Sequence, residues 1–497
     1  MATKKEAPAA AGAEAAATEL SLIDKIVQEG KMAVEASQAE YSKKLIGQFA
    51  AQILDEGMKA SPDQGVVDMI NLRIQQIDEL MSKQLNAIMH APEFQALEAS
   101  WRGLHDMVMN TETSTRLKLR LLNVTKKELL RDLEKAVDHD QSQLFKKIYE
   151  EEYGTFGGNP YSLMIGDYYF GRHPQDILLL DKISKVASAA HAPFIASASP
   201  ALFDMKSWTD LGVPRDLSKT FESAELDGWR SFRDGEDSRY VALCLPRYAL
   251  RLPYGEKTVP VENFKFEEDV DGRDHGRYLW GNAAYLLGMR ITDAFAKHSW
   301  CTAIRGTEGG GKVESLKTHK FLTDEGDISV KCPTEVTITD RREKELNDLG
   351  FLPAVYAKGT DYAAFFGGQT VNKPKVYNLP VATANARLSS ALPYILAASR
   401  FAHYLKVIMR DKIGSFLTAK NVEVYLNNWI ADYVLLNDDA GQDTKAKYPL
   451  REARVDVTDV AGKPGVYNAT VFLRPHFQLE ELTTSIRLVA ELPPPAA

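Results

Sequence analysis

Between residues 116 and 245 the chain switches repeatedly between two periods, and that switching restricts its fold more than any other feature. Arg116–Leu122 alternates strictly, charged against apolar, as a half-buried strand does. Thr125 with Glu128 three residues on predicts a capped helix through Val137. Tyr161–Ile165 reads as an apolar strand, Pro174–Ala190 as a helix, and Pro193–Ala198 and Tyr240–Leu245 as further strands. Strands separated by helices fold as an α/β layer with at least some parallel pairing. Residues 276–304 read as helical and 306–335 as Gly-rich and irregular. Glu335–Thr339, Ala354–Lys358 and Tyr362–Phe366 read as more strands.

Helices precede this layer. Residues 1–19 are Ala-rich, with too few large apolar groups to offset the entropy of ordering, and are expected to form a flexible tail. Ser21 with Asp24 starts a short amphipathic helix, Leu22, Ile23, Ile26 and Val27 form its stripe, and Gly30 stops it. The stripe either docks on its own core or serves a groove on a partner. Val67, Ile70, Ile74, Ile77, Met81, Leu85 and Ile88 recur every three or four residues, heptad-like. Another helix starts at Pro92, with Phe94, Leu97, Trp101, Leu104 and Val108 on one face.

Past about residue 380 helices come first and strands last, an α+β pattern. Leu396–Leu417 and Val422–Leu436 read as helices. Val455–Val460, the Gly462–Gly465 turn and Val466–Leu473 read as a hairpin, with Tyr467, Ala469, Val471 and Leu473 on one face. Thr484, Ile486, Leu488 and Ala490 mark a third strand, ended by Pro493–Pro495. A terminal strand with an unpaired edge invites pairing with another chain.

Composition excludes several classes. Net charge is −8 with no long basic run, so the face that nucleic acid requires is missing. No apolar run approaches the ~18–20 residues of a membrane helix, and the N-terminus lacks the apolar core of a signal peptide. Cys244, Cys301 and Cys332 show neither zinc spacing nor a disulfide framework. No metal site or cofactor motif is expected: the histidines are isolated, and Glu267–Asp274 matches a calcium loop in charge only, so a solvated loop is the simpler reading. Asp167, His173 and Asp176 read as a helix cap beside packed aromatics rather than a reactive set.

The best enzymatic signal is Gly306–Lys312, which fits G-x-x-x-x-G-K. A phosphate loop needs a hydroxyl after the lysine, a strand before and a helix behind. Val313 has no hydroxyl, and a helix is expected in front. A P-loop-like phosphate-binding enzyme is therefore only the alternative reading, and a flexible loop with an exposed lysine the simpler one.

Several longer strings carry a resemblance. Pro92–Leu104 (PEFQALEASWRGL), Cys301–Gly311, Lys331–Arg342, Ala384–Ser389, Arg400–Lys406 and Arg474–Leu479 resemble the large sheath subunit of the bacterial type VI secretion system, the TssC/VipB family. The match runs from about 60 to 492. It implies a contractile phage-tail-sheath-like fold and a structural, non-enzymatic role in the bacterial cytoplasm. The domains expected are an N-terminal helical segment at 20–60, an α/β core at 61–380 and a C-terminal α+β domain at 381–497. The partners it implies are a small sheath subunit (TssB/VipA type), an Hcp inner tube, a baseplate, further copies of itself and a AAA+ unfoldase (ClpV type). The resemblance puts the unfoldase contact at Leu22, Ile23, Asp24, Ile26 and Val27. It puts the strands shared between protomers at Val466, Ala469, Val471, Leu473, Thr484, Ile486, Leu488 and Ala490.

Overall fold

The computed structural model describes residues 22–33, 35–55, 66–262, 264–415, 418–463 and 465–478. They divide into two compact units, one ending at Met81 and one beginning at Ser82. In the first, α1 (Leu22–Glu29) packs on α2 (Ala39–Asp55), a second helix within the 20–60 helical segment. Val27 is buried there, and Asp24 pairs with Lys43 of α2 at 2.6 Å. The side chains of Leu22, Ile23 and Ile26 lie outside the described set. Helix α3 (Val66–Met89) follows, then α4 (Pro92–Met109) and α5 (Lys126–Lys135), the last opened by the expected Thr125–Glu128 capping box.

The strands in chain order are β1 (Met164–Phe170), β2 (Phe194–Ala198), β3 (Val241–Leu245), β4 (Tyr248–Ala249), β5 (Trp280–Gly281) and β6 (Lys312–Val313). They continue with β7 (Lys320–Leu322), β8 (Ile328–Val330), β9 (Phe351–Tyr356), β10 (Ala363–Phe365), β11 (Leu450–Asp459) and β12 (Tyr467–Pro475). The main sheet has the order β1-β2-β3-β9-β10-β6. Its first four strands are parallel, β10 runs antiparallel to β9, and β6 antiparallel to β10.

Alternation along the strands splits the core in two. Phe194, Ala196, Val241, Leu243, Phe351 and Val355 face one layer, with Leu180, Ile183 and Ala187 of the helix Pro174–Ala190. Ile195, Ala242, Cys244, Leu352 and Ala354 face the other, with Ala284, Leu287 and Ile291 of the helix Ala283–His298. Both faces are covered, which is why the central strands read as continuous apolar runs.

The structure corrects several strand assignments. The first strand is 164–170 rather than 161–165, so Asp167 lies within it, where Asn282 Nδ2 donates to its carboxylate at 3.2 Å. Glu335–Thr339 is not a strand: only Thr334 makes a bridge, and the buried Glu335 carboxylate takes a two-pronged bond from Arg247 at 2.6 and 2.7 Å. Arg116–Leu122 belongs to no sheet: it follows a bend at 115–116 and has no regular secondary structure. Residues 306–335 are less irregular than expected, because β6 joins the main sheet and β7 and β8 form a hairpin.

The C-terminal elements carry a satellite core. The helices Leu392–Asp411 and Ala419–Ala431 and the hairpin β11–β12 enclose Phe401, Leu426, Ile430 and Val455, with Trp300 stacked on Phe401 at 4.3 Å. His403 ties this region to the sheet layer through a 2.9 Å bond between Nε2 and the Ala190 carbonyl. Burial, reinforced by Arg400, His191 and Lys406 and only partly offset by the Ala190 bond, lowers its pKa to about 4. An unfolded histidine titrates near ~6.5, so the unfolded chain takes the proton first. The stabilisation is complete above about pH 6.5 and disappears as pH falls to about 4. At ~1.4 kcal/mol per unit this amounts to about 3 kcal/mol. Urea unfolding at pH 7 and pH 4.5 should therefore show a smaller acid loss for His403→Gln than for the parent; equal losses would disprove the assignment.

Candidate assembly surfaces

Helix α4 is built inside out. Periodicity places Phe94, Leu97, Trp101 and Val108 on one stripe, and an ordinary surface helix buries such a stripe. Here these four are exposed, Trp101 by 62% and Leu97 by 57%, and of the expected stripe Leu104 alone packs inward against the core. The inward face is Glu98, Ala99, Arg102, Gly103, Asp106 and Met107. Gly103 permits this packing: a Cβ there would come within 2.6 Å of the Tyr285 ring on the helix Ala283–His298.

Glu98 and Arg102 of this inward face are paired. Glu98 Oε1 accepts from Arg102 Nε at 2.7 Å and from Arg251 Nε at 2.9 Å. Arg251 also donates to both Glu268 oxygens, at 2.6 and 3.0 Å. Tyr254 N–H donates to Glu268 at 2.9 Å, and His90 Nε2 lies 3.2 Å from it. Burial pushes the Glu268 carboxyl up, but the Arg251 fork, with the Tyr254 amide and His90, outweighs this and holds it below the usual carboxylate range. Breaking one partner of such a buried pair costs about 3–5 kcal/mol, so the network fixes which face of α4 points inward. Glu268 thus leaves the solvated loop that the sequence suggested. Its neighbours are occupied as well: Asp269 and Asp274 bind Arg277, and Asp271 accepts from the Arg273 and Asp274 amides.

Helix α3 shows the same outward bias within its own span. Ile74, Ile77 and Met81 are exposed in the first unit, and Ile88 in the second. These are heptad positions, the pattern of a helix that completes a coiled coil.

The C-terminal hairpin has one closed edge. Asn427 of the helix Ala419–Ala431 brackets Val455 of β11, donating to its carbonyl at 2.7 Å and accepting from its N–H at 3.0 Å. Glu423 accepts from Val457 N–H at 3.2 Å. On β12, residues 468–474 make backbone bonds only to β11 among the described residues. Val471 and Leu473 turn toward the satellite core, while Ala469 is exposed. Val466 lies in the turn, not the strand, because pairing starts at Asp459–Tyr467. Thr484, Ile486, Leu488 and Ala490 lie outside the described residues.

The glycine loop does not have the shape of a phosphate cradle. Gly306 N–H donates to Phe365 O at 2.7 Å, and Phe365 N–H donates to Gly311 O at 3.0 Å, so the turn is pinned to β10 rather than flexible. Lys312 then enters strand β6 instead of a helix. Its ammonium binds Glu314 at 2.6 Å and sits over the Tyr362 ring. Asp176 and His173 act as helix-start groups: Asp176 binds Lys126 and the Gly171 amide, and His173 Nδ1 accepts from Gln175 N–H. No cluster of metal-ligating side chains occurs among the described residues, and no helix there is long and apolar enough to cross a membrane.

Two tail-sheath domain families match nearly end to end. Residues 71–372 match VipB, described as "EvpB/VC_A0108, tail sheath N-terminal domain", and residues 381–492 match the family's "tail sheath gpW/gp25-like domain". The chain belongs to the VipB/TssC tail-sheath family. It is 48% identical over 472 residues, 94% of each chain, to the type VI secretion system sheath protein TssC1 of Pseudomonas aeruginosa. More distant likenesses are found among solved structures. One is the baseplate of the anti-feeding prophage, 12% identical, TM-score 0.34, covering 63% of this chain and 66% of that one. Another is the contracted sheath complex of an extracellular contractile injection system, 8% identical, TM-score 0.33, covering 62% and 68%. Membership of VipB/TssC rests on the domain matches and the TssC1 relative.

The charged inner face of α4 could not be read from the sequence. The signal was present as Glu98 and Arg102 one turn apart, but their partners Arg251 and Glu268 are more than a hundred residues away.

Proposed function

We propose that this chain is the large subunit of a type VI secretion sheath. It pairs with the small sheath subunit and polymerises around an Hcp-type inner tube on a baseplate. It then contracts to propel the tube and is recycled by a AAA+ unfoldase in the bacterial cytoplasm. Residues 61–380 form the sheath core in this reading, and 381–497 carry the links between protomers.

The observation that carries this reading is the inverted helix α4. A charged face held inward by a buried network and an apolar face left to solvent make a surface for another protein. No group in the chain needs to react. The energy for movement can reside in interfaces that repack between two states.

The unfoldase contact is assigned to α1, with Leu22, Ile23, Asp24, Ile26 and Val27. Because Val27 is buried against α2, recognition through this stripe requires α1 to leave α2 first. The helix then works as a signal that depends on the state of the polymer.

Co-expression with the small subunit tests the proposal. Negative-stain microscopy of the purified material should show stable complexes and long hollow tubes. A chain that stays monomeric beside its partner would end the sheath reading for this protein.

A further inference from the structure

The segment Leu117–Asn123 has the sequence of a strand and no strand partner. Leu117 and Leu119 are half-buried, and Leu119 packs against the layer beneath the helix Ala283–His298. Arg116, Lys118 and Arg120 alternate with them on the exposed side. Arg120 reaches Glu152 and the Tyr161 hydroxyl, and Lys118 Nζ is 3.4 Å from Asn159. From Lys118 to Asn123, no backbone N–H or C=O finds a partner among the described residues. The far end is anchored: Tyr168 of β1 donates its hydroxyl to the Val124 carbonyl at 2.7 Å, and α5 starts directly after. Strand β1 is itself the outermost strand of the main sheet. Leu121 and Leu122 are 67% and 51% exposed.

A side-chain-anchored stretch with unpaired backbone is a template for strand addition, where the ladder gives affinity and alternate side chains give specificity. Residues facing each other across a ladder favour opposite charge and penalise like charge. The incoming strand must therefore set carboxylates against Arg116 and Lys118 and apolar groups beside Leu117 and Leu119. In a second copy, residues 482–490, whose sequence alternates like a strand, carry Arg487 and no acidic residue, so like charges would oppose that pairing.

We infer that residues 117–123 are an acceptor strand for an extended segment of a different polypeptide, apolar and acidic in alternation. This rests on the proposed sheath reading, in which that polypeptide is the small sheath subunit.

Hydrogen exchange and two proline variants test it in the full chain co-expressed with the small subunit. Amides 118–123 should exchange freely in the chain alone. In the complex every second one should slow at least tenfold, because successive N–H groups of a strand point to opposite edges. Leu121 and Leu122 are more than half exposed and make no hydrogen bond among the described residues, so Leu121→Pro and Leu122→Pro should disturb little within the chain. One removes a ladder donor and should weaken partner capture roughly tenfold; the other removes an outward donor and should stay within about twofold. Unchanged exchange at 118–123 in an intact complex, or two prolines that behave alike, would overturn the acceptor strand and leave the pairing untouched. Failure of the parent chains to associate would overturn both.

Discussion

Replacing Ile486 with Pro, or deleting residues 480–497, should leave a soluble chain that still captures its partner but builds no long sheath. The hairpin explains why the effect falls on assembly. The outer edge of β11 is closed by Asn427 and Glu423, so the sheet can grow only beyond β12. The Thr484–Ala490 sequence has the alternation to extend it there, within a protomer or between protomers. Each ladder bond contributes only about 0.5–1.5 kcal/mol net. Repeated at every protomer of a polymer, several such bonds decide between tube and oligomer. Proline at 486 removes one donor and stiffens one residue without shortening the chain. Sedimentation and negative-stain microscopy of the co-expressed variants measure the outcome. Normal tubes from Ile486→Pro would move the linkage to the open edge of β12 itself.

The parts of the fold that were legible in the sequence are those where one period runs long or both faces are buried. The helix expected to start at Pro92 does so, Pro174–Ala190 has the expected bounds, and β2 and β3 lie where their apolar runs fall. β1 was placed three residues early because its middle, Gly166 and Asp167, looks like a strand end. A Cβ at Gly166 would meet the Phe194 ring at 2.4 Å, and Asp167 is satisfied by Asn282, so tertiary contacts decide both. Glu268 reads as solvated because its neighbours are acidic, and Arg251 reverses that reading. Of the assembly surfaces, the β12 face was legible from its alternation, while the direction of α4 was not. Periodicity says which residues share a face; only long-range ion pairs say which face points inward.

That direction gives the last expected result. Leu97→Asp with Trp101→Asp should leave the isolated chain as stable as the parent and abolish capture of the small subunit. Both side chains are more than half exposed and take no part in the Glu98–Arg251–Glu268 network. Surface substitutions of this kind usually shift stability by no more than about 0.5 kcal/mol. In a complex the same side chains would be central apolar anchors, where truncations cost about 2 kcal/mol or more each and a buried charge adds to that. Two such losses lower affinity on the order of a thousandfold. Gly103→Ala supplies the opposite control. Its Cβ would press into Tyr285 and strain the inner face by about 1–3 kcal/mol, so it should lower the melting temperature while leaving the outer stripe intact. Pull-down and thermal melting on the two variants therefore separate the faces of one helix. If the aspartate pair melts early, the stripe belongs to the chain's own core; if it captures its partner normally, the partner binds elsewhere.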